Sequence, residues 1–334
     1  MQTITITILM NTTKSLTSII NKHNLYNKRH KLVIDDNMLN LPLFYAIPKM
    51  HKPTPKMRFI AASNRCTTKP LSKLITSCLK LALLQHRKLC NQIYKRTGVN
   101  RMWIADNNED VLNMIDNLNN HKKANNVSTY DFSTLYTNIP HDDLKKQMKW
   151  IIDKAFYNNS KKYMFVSNNR ATWYKRANST KVSKYNLINH INYLIDNIYV
   201  KVGHHIFRRK IGIPMGTDCA PFLANLYLYS LEYNFLKGLT KECIYLAQKF
   251  SKSYRYIDDL ITFNNYNLMQ RLKHKIYPPE LILNKENPSN DKCTYLDIEM
   301  NIHDKQITTT LSDTAHGLFY WDTVFACVFV SLRI

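Results

Sequence analysis

Tyr256-Ile257-Asp258-Asp259-Leu260-Ile261 sets two carboxylates inside a run that is otherwise aromatic and branched-apolar. Successive side chains of a continuous strand point to opposite faces of its sheet. An unbroken strand here would drive one aspartate into the core, where an unpaired charge is costly. A tight turn between Asp258 and Asp259 removes the conflict and stands both carboxylates at a hairpin tip, where a divalent cation can neutralise them. The plainer reading of these six residues alone is an exposed, solvated turn.

Three further stretches, all upstream, bear on that reading. In Tyr130-Asp131-Phe132-Ser133-Thr134-Leu135-Tyr136, Asp131 closes the apolar strand expected over 127–132. Two-metal chemistry needs carboxylates from separate elements converging on ions about 3.5–4 Å apart, and Asp131 would complete such a set. By itself it reads as an aspartate capping a turn before the helix that Pro140 opens. Ile211-Gly212-Ile213-Pro214-Met215-Gly216-Thr217 holds two of the chain's six glycines directly before a strongly periodic helix. A Gly-x-Pro-x-Gly turn lets backbone approach a ligand closely. Its bland counterpart is a loop with Thr217 or Asp218 as helix cap. Lys49, Lys52, Lys56 and Arg58 flank a loop stiffened by Pro48, Pro53 and Pro55. They would grip a triphosphate, lysine as a point charge and arginine as a fork, or form a solvated basic loop.

The composition agrees with a polyanionic partner. The 334 residues carry 47 Lys+Arg against 24 Asp+Glu, a net charge of +23, and nucleic acid is the commonest partner of such a chain. The charge is spread along the whole length instead of being concentrated on one amphipathic helix, which disfavours a membrane surface. Hydrophobic residues at 45% suffice for a real core. The positions of the six glycines exclude a Walker loop and a GxGxxG loop. Seven widely spaced cysteines form no CxxC or CxxH cluster, so a reducing, intracellular setting (nucleus or cytoplasm) is expected, without disulfides or zinc. The segment MQTITITILMNTTKS lacks a basic n-region, so secretion is not expected, and no segment reads as membrane-spanning.

Periodicity predicts helices over 71–82, 144–155, 187–198 and 220–231, the last ending near Gly238. Short strands are expected over 57–60 and 127–132, with a hairpin at 199–211 around Gly203. Residues 157–182, rich in Asn, Ser and basic side chains, read as an insertion. The class is α+β with a small antiparallel sheet flanked by helices.

Taken in order, IPK…R, YDFSTLY, GIPMGT and YIDD resemble the motifs of reverse transcriptases, most closely those of Penelope-like retroelements. Ser133–Pro140 is similar to that family's "SLYTNIP", Gly212–Gly216 with the helix after it to "GxPMG", Arg255–Asp259 to "RYxDD", and Tyr295-Leu296-Asp297 to "FLD". The likeness covers about residues 41–305. It implies right-hand polymerase fingers and palm over 41–310, preceded by a basic extension over 1–40. An atypical tail follows over 311–334, with the thumb incomplete or absent and no GIY-YIG endonuclease. It implies Asp131, Asp258 and Asp259 as the catalytic triad holding two Mg²⁺ (or Mn²⁺) ions. It also implies Tyr136 as a steric gate against the 2′-OH, and Lys49 and Arg58 as triphosphate contacts. Gly212, Pro214 and Gly216 would form the loop under template and incoming base, and Lys285 would lie beside the leaving pyrophosphate. The activity so implied is RNA-directed DNA polymerisation, with RNA template, DNA primer, RNA–DNA hybrid and dNTP as partners and no membrane. The alternatives are an RNA-directed RNA polymerase and a catalytically inactive nucleic-acid-binding remnant. The motifs say nothing of the oligomeric state.

Overall fold

The computed structural model describes residues 9–32, 38–49, 56–157, 159–176 and 181–311. The loop around His51 and Lys52, the N-terminal segment before residue 9 and the tail after 311 lie outside these. In chain order the elements are β1 (Leu9–Asn11), α1 (Leu16–Arg29), β2 (Leu43–Lys49), β3 (Lys56–Ala62), α2 (Lys69–Thr97), α3 (Glu109–Asn120), β4 (Val127–Phe132), α4 (Leu135–Asn138) and α5 (His141–Tyr157). Then come β5 (Tyr163–Ser167), β6 (Arg170–Tyr174), β7 (Lys181–Ser183), α6 (Lys184–Asp196), β8 (Tyr199–Val202), β9 (His205–Arg209), α7 (Ala220–Glu242) and α8 (Ile244–Gln248). The last are β10 (Ser253–Tyr256), β11 (Asp259–Phe263), α9 (Leu268–Ile276), β12 (Leu283–Lys285), β13 (Lys292–Tyr295), β14 (Ile298–His303) and β15 (Gln306–Leu311). Among the described residues no helix is long and apolar enough to cross a membrane, and the six described cysteines are free thiols.

The chain divides into two compact units. One holds residues 1–92, 134–234 and 279–281, the other 93–133, 235–278 and 282–334. In the first unit a five-stranded sheet runs β1-β9-β8-β2-β3. It is antiparallel except where β2 meets β8 at Leu43 and Lys201. Helix α1 starts at Ser15, whose Oγ accepts the Ser18 N–H at 3.2 Å, the usual way of satisfying an orphan first-turn donor. It buries Ile19 with Leu41 and Tyr199. Helix α5 buries Leu144, Met148, Ile151, Ile152 and Ala155 at helical spacing, as the periodicity predicts. Its Asp143 accepts a 2.6 Å hydrogen bond from Tyr227 Oη.

The described part of the insertion forms regular structure that its composition does not suggest. Strands β5, β6 and β7 make a three-stranded antiparallel sheet in the order β6-β5-β7. Met164 and Val182 are buried, and Trp173 packs edge-to-face on Phe156 at 4.9 Å. These few apolar residues sit alternately along the strands, and the Asn- and Ser-rich text around them hides that alternation. Helix α7 likewise runs past Gly238 to Glu242, because Leu236 and Leu239 on either side are buried and hold the helical path. Before α7, Thr217 gives its backbone carbonyl to the Ala220 N–H at 3.0 Å, and Asp218 pairs with Lys69 at 3.4 Å.

In the second unit an antiparallel sheet runs β10-β11-β4-β12. Val127, Ile261 and Phe263 occupy one of its faces, and pack with Val111, Ile115 and Leu118 of α3 and with Cys293, Tyr295 and Met300 of the β13-β14-β15 sheet. The other face buries Tyr130, Phe132 and Leu260.

Three buried imidazoles in the first unit give it a pH dependence. His23 bonds to Thr67 Oγ1 at 2.7 Å. His86 donates to the Ile151 carbonyl at 2.9 Å and accepts from Tyr229 at 3.1 Å. His190 meets Tyr26 Oη at 2.8 Å. Burial, above all, pushes each of them down from 6.5 to about 4. Between those values the unfolded chain binds protons that the folded unit refuses, so stability is full above about 6.5 and falls as pH drops toward 4. The urea midpoint of the first unit is expected to fall from pH 7.5 to pH 5, and His86→Gln to flatten that fall. An unchanged midpoint would contradict the buried-imidazole account.

Candidate active site

The β10–β11 hairpin pairs Ser253 with Thr262 and closes at Tyr256 with Asp259. Its two-residue loop is therefore Ile257-Asp258, one position upstream of the expected turn. Asp258 stands in the turn and Asp259 begins β11. Ile257 has φ 54° while Asp258 does not have a positive φ, and two-residue loops with a positive φ are common closures of antiparallel hairpins. A left-handed residue with a Cβ costs roughly 1–2 kcal/mol, and branching at Cβ adds to the crowding. The surroundings hold it there. The wholly buried Arg255 donates Nη1 to the Ile257 carbonyl at 2.7 Å. The Phe132 N–H donates to the Asp258 carbonyl at 3.2 Å. Arg255 is itself clasped, its N–H on the Trp103 carbonyl at 2.6 Å and its carbonyl receiving the Ala105 N–H at 3.0 Å.

Across the sheet, Asp259 pairs directly with Asp131, and Asp131 on its other side with Asn284. Directly paired residues share a face, so two carboxylates and an amide form one row, with Asp258 in the turn beside it. All three aspartates are half-buried. Paired Cβ atoms in such a ladder lie about 4.5–5.5 Å apart, and like charges in that position repel. The register thus brings negative charge together at one fixed spacing. Among the described residues no three His, Cys, Asp or Glu side chains form a ready-made metal cage. An all-oxygen set of a few carboxylates suits Mg²⁺, which keeps much of its water and takes only one or two protein carboxylates, so the residues present fit such an ion.

Of the expected substrate-binding residues of the first unit, Tyr136 meets the glycine loop. Helix α4 carries Tyr136, whose carbonyl accepts the Ile213 N–H at 2.7 Å. At Gly212 (φ 75°) a Cβ would lie 2.4 Å from the Tyr136 carbonyl oxygen and 2.5 Å from that of Thr137. At Gly216 (φ 105°) a Cβ would lie 2.4 Å from the Ala61 oxygen on β3. The Ala61 N–H in turn donates to Met215 O at 2.7 Å, and Ser63 Oγ to the Gly216 carbonyl. Pro214 is buried between these two attachments. The loop thus bridges α4 and β3. Arg58 is exposed on β3, opposite Ile47. Lys49 ends β2 opposite Lys56, and its side chain lies outside the described part.

Lys285 pairs with Tyr130, so it lies on the face opposite Asp131, and its Nζ donates to Asn290 Oδ1 at 2.7 Å. Three supporting residues escape the sequence reading. Arg255 figures in it only as a motif letter. Asn284 joins the aspartate row through a strand pairing that no local pattern announces. Arg209, nearly fully buried, donates Nε to the Ile211 carbonyl at 2.9 Å and Nη2 toward Tyr136 O at 3.5 Å. Burial pushes its pKa down to about 10, which leaves it charged.

No family model matches the chain, and no curated protein matches its sequence. Its fold has solved counterparts. Telomerase from Candida albicans, solved with a TWJ fragment of telomeric RNA, superposes with a TM-score of 0.55 at 14% identity, over 90% of this chain and 53% of that one. Apo telomerase from Candida tropicalis gives 0.51 at 14% identity, over 91% and 56%. The same organism's apo enzyme truncated from its C-terminal domain gives 0.50 at 15%, over 86% and 59%. The chain spans little more than half the length of each of these proteins. The architecture is the polymerase fingers and palm fold, a mixed α+β arrangement with small antiparallel sheets.

Arg255→Met keeps the volume under the turn but removes the donor to Ile257 O. Leaving a buried carbonyl unsatisfied costs about 1–3 kcal/mol, so the urea midpoint of the second unit should fall accordingly. Hydrogen exchange at the Phe132 amide, which holds the other side of the turn, should quicken. An unchanged midpoint with unchanged exchange would show that the turn does not depend on Arg255.

Proposed function

We propose that the chain is an RNA-directed DNA polymerase of the reverse-transcriptase kind, from a retroelement similar to the Penelope-like group. The observation that carries the reading is the direct cross-strand pairing of Asp259 with Asp131 beside the Asp258 turn, on a fingers and palm fold. Two-metal phosphoryl transfer uses carboxylates from separate elements held at a fixed spacing, and this pairing supplies them.

Asp131, Asp258 and Asp259 would hold two Mg²⁺ or Mn²⁺ ions. Such ions, when bound, acidify a primer 3′-OH and neutralise the charge that builds on the α-phosphate. The protein's own part is positioning. The β4–β11 ladder keeps two carboxylates at one spacing, and the Arg255-held turn keeps the third beside them. Arg58 and Lys49 would meet the triphosphate, the loop over 212–216 would lie against the templating base, and the Tyr136 ring would exclude a 2′-OH. RNA template, DNA primer and their hybrid would be held by the basic surface. An RNA partner is in keeping with the telomerase counterpart solved with RNA. The place of action would be intracellular.

Primer extension on a primed RNA template tests the reading. Wild-type chain should extend with dNTPs in Mg²⁺ or Mn²⁺. Asp131→Asn and Asp258→Asn should abolish extension while hybrid affinity holds or rises, because each removes negative charge facing a polyanion. Tyr136→Ala should retain dNTP incorporation and raise rNTP incorporation about tenfold, the size expected from relieving a packing clash of about 1–3 kcal/mol. Extension surviving either aspartate change would refute the metal assignment. A wild type that prefers rNTPs would make the chain an RNA polymerase, and binding with no extension at all would make it a nucleic-acid-binding remnant.

A further inference from the structure

The first unit contains a second basic feature, which the polymerase reading does not use. A cleft of about 690 Å³ opens between the end of α1, the start of α2 and the β5–β6 hairpin of the insertion. Arg29, Lys31, Lys73 and Lys181 line it, and no aspartate or glutamate does. The first three are exposed. Lys181 sits 3.7 Å over the Tyr174 ring, a cation–π contact that holds its ammonium in place.

The walls of the cleft are fixed by local structure. Ser167 pairs with Arg170 across a two-residue turn, and Asn168 and Asn169 are both left-handed, at φ 48° and 59°. That is the type I′ hairpin for which asparagine is well suited. The Asn169 carbonyl accepts Ser77 Oγ at 3.0 Å, which ties the hairpin tip to α2. On the opposite side His30 packs edge-on against His190 at 4.7 Å and tilted on Tyr26 at 4.4 Å. Burial lowers the pKa of both imidazoles, His190 to about 4. Both therefore favour the uncharged form at neutral pH, and the partly exposed His30 ring lines the cleft with His190 buried behind it. Phe165, half-buried on β5, adds another such ring.

We propose that this cleft binds a single-stranded polynucleotide, separately from any primer–template duplex at the aspartates. Cations distributed over three elements match a run of phosphates better than one small anion. Rings among those cations supply stacking surfaces, which only unpaired bases can use. A concave site is the wrong shape for a flat membrane surface, which an amphipathic helix lying in the interface suits better. The proposal does not rest on catalysis, since a chain unable to extend a primer could still bind a strand here.

The test is fluorescence anisotropy of the full chain with labelled oligo(U) and oligo(dT) 20-mers, from low to physiological salt. The triple variant Arg29→Gln, Lys31→Gln, Lys73→Gln should lose at least about tenfold affinity for the oligonucleotides. Its salt slope should fall by about 2, the release expected from three lost single-strand phosphate contacts. A control triple at exposed sites of the second unit, Lys122→Gln, Lys123→Gln, Lys275→Gln, makes the same change in net charge and should lose less than threefold. Phe165→Leu should weaken binding without altering the salt slope. Equal losses in the two triple variants, at unchanged melting temperatures, would overturn the proposal by showing that only net charge matters. So would a loss seen on vesicles of phosphatidylserine and phosphatidylcholine but not on either oligonucleotide. A preference for oligo(U) over oligo(dT) would identify the strand as RNA, and the reverse as DNA.

Discussion

Two carboxylates facing each other across a β-ladder repel, and the second unit is built so that they cannot move apart. Asp131 and Asp259 share a face with Val127, Ile261 and Phe263, and those three are locked into the core beneath α3 and the β13-β14-β15 sheet. A one-residue slip of β11 on β4 would bring Ile261 and Phe263 out of that core and turn polar Thr262 in. The hydrophobic contact far from the carboxylates thus sets the spacing of the carboxylates themselves. The cost of the repulsion is spread over a register that cannot change without losing several buried side chains.

The hairpin turn is a second constraint of the same kind. Ile257 is a poor residue for a left-handed position, and nothing local favours it there. What keeps it is Arg255 from below and the β4 backbone from the side. Arg255 depends in turn on the segment carrying Trp103 and Ala105, which is distant in sequence. The carboxylate of Asp258 is therefore placed by three separate stretches of chain. The glycine loop of the first unit follows a comparable logic, since Gly212 and Gly216 lie against backbone oxygens of α4 and β3 at distances that no side chain could share. Backbone meeting backbone is stiffer than side chain meeting side chain, and the loop is held to two elements at once.

The cleft beside the insertion shows how charge can be specialised in a chain that is basic throughout. A net charge of +23 attracts any polyanion. Shape and flat apolar rings decide which polyanion stays, and those come from the I′ hairpin and from the packing of α1 on α6 through Tyr26 and His190.

Much of this was readable along the chain. The amphipathic spacing of α2, α5 and α7, the apolar run of β4, and the presence of Asp131, Asp258 and Asp259 at points where a strand must break are local properties. A helix period or an unpaired charge in an apolar run has the same meaning wherever it folds. The turn lay one residue from its expected place, because both Ile257-Asp258 and Asp258-Asp259 remove the buried charge and only pairing with β4 chooses between them. The β6-β5-β7 sheet was hidden because its few apolar residues gain meaning only against Phe156 and its own strands. Asn284 in the aspartate row, Lys285 on the opposite face and Arg255 under the turn were beyond reach for the same reason. Residue types and periods belong to the sequence, whereas register, facing and the burial of one particular arginine come into being only when segments far apart in the chain are brought together.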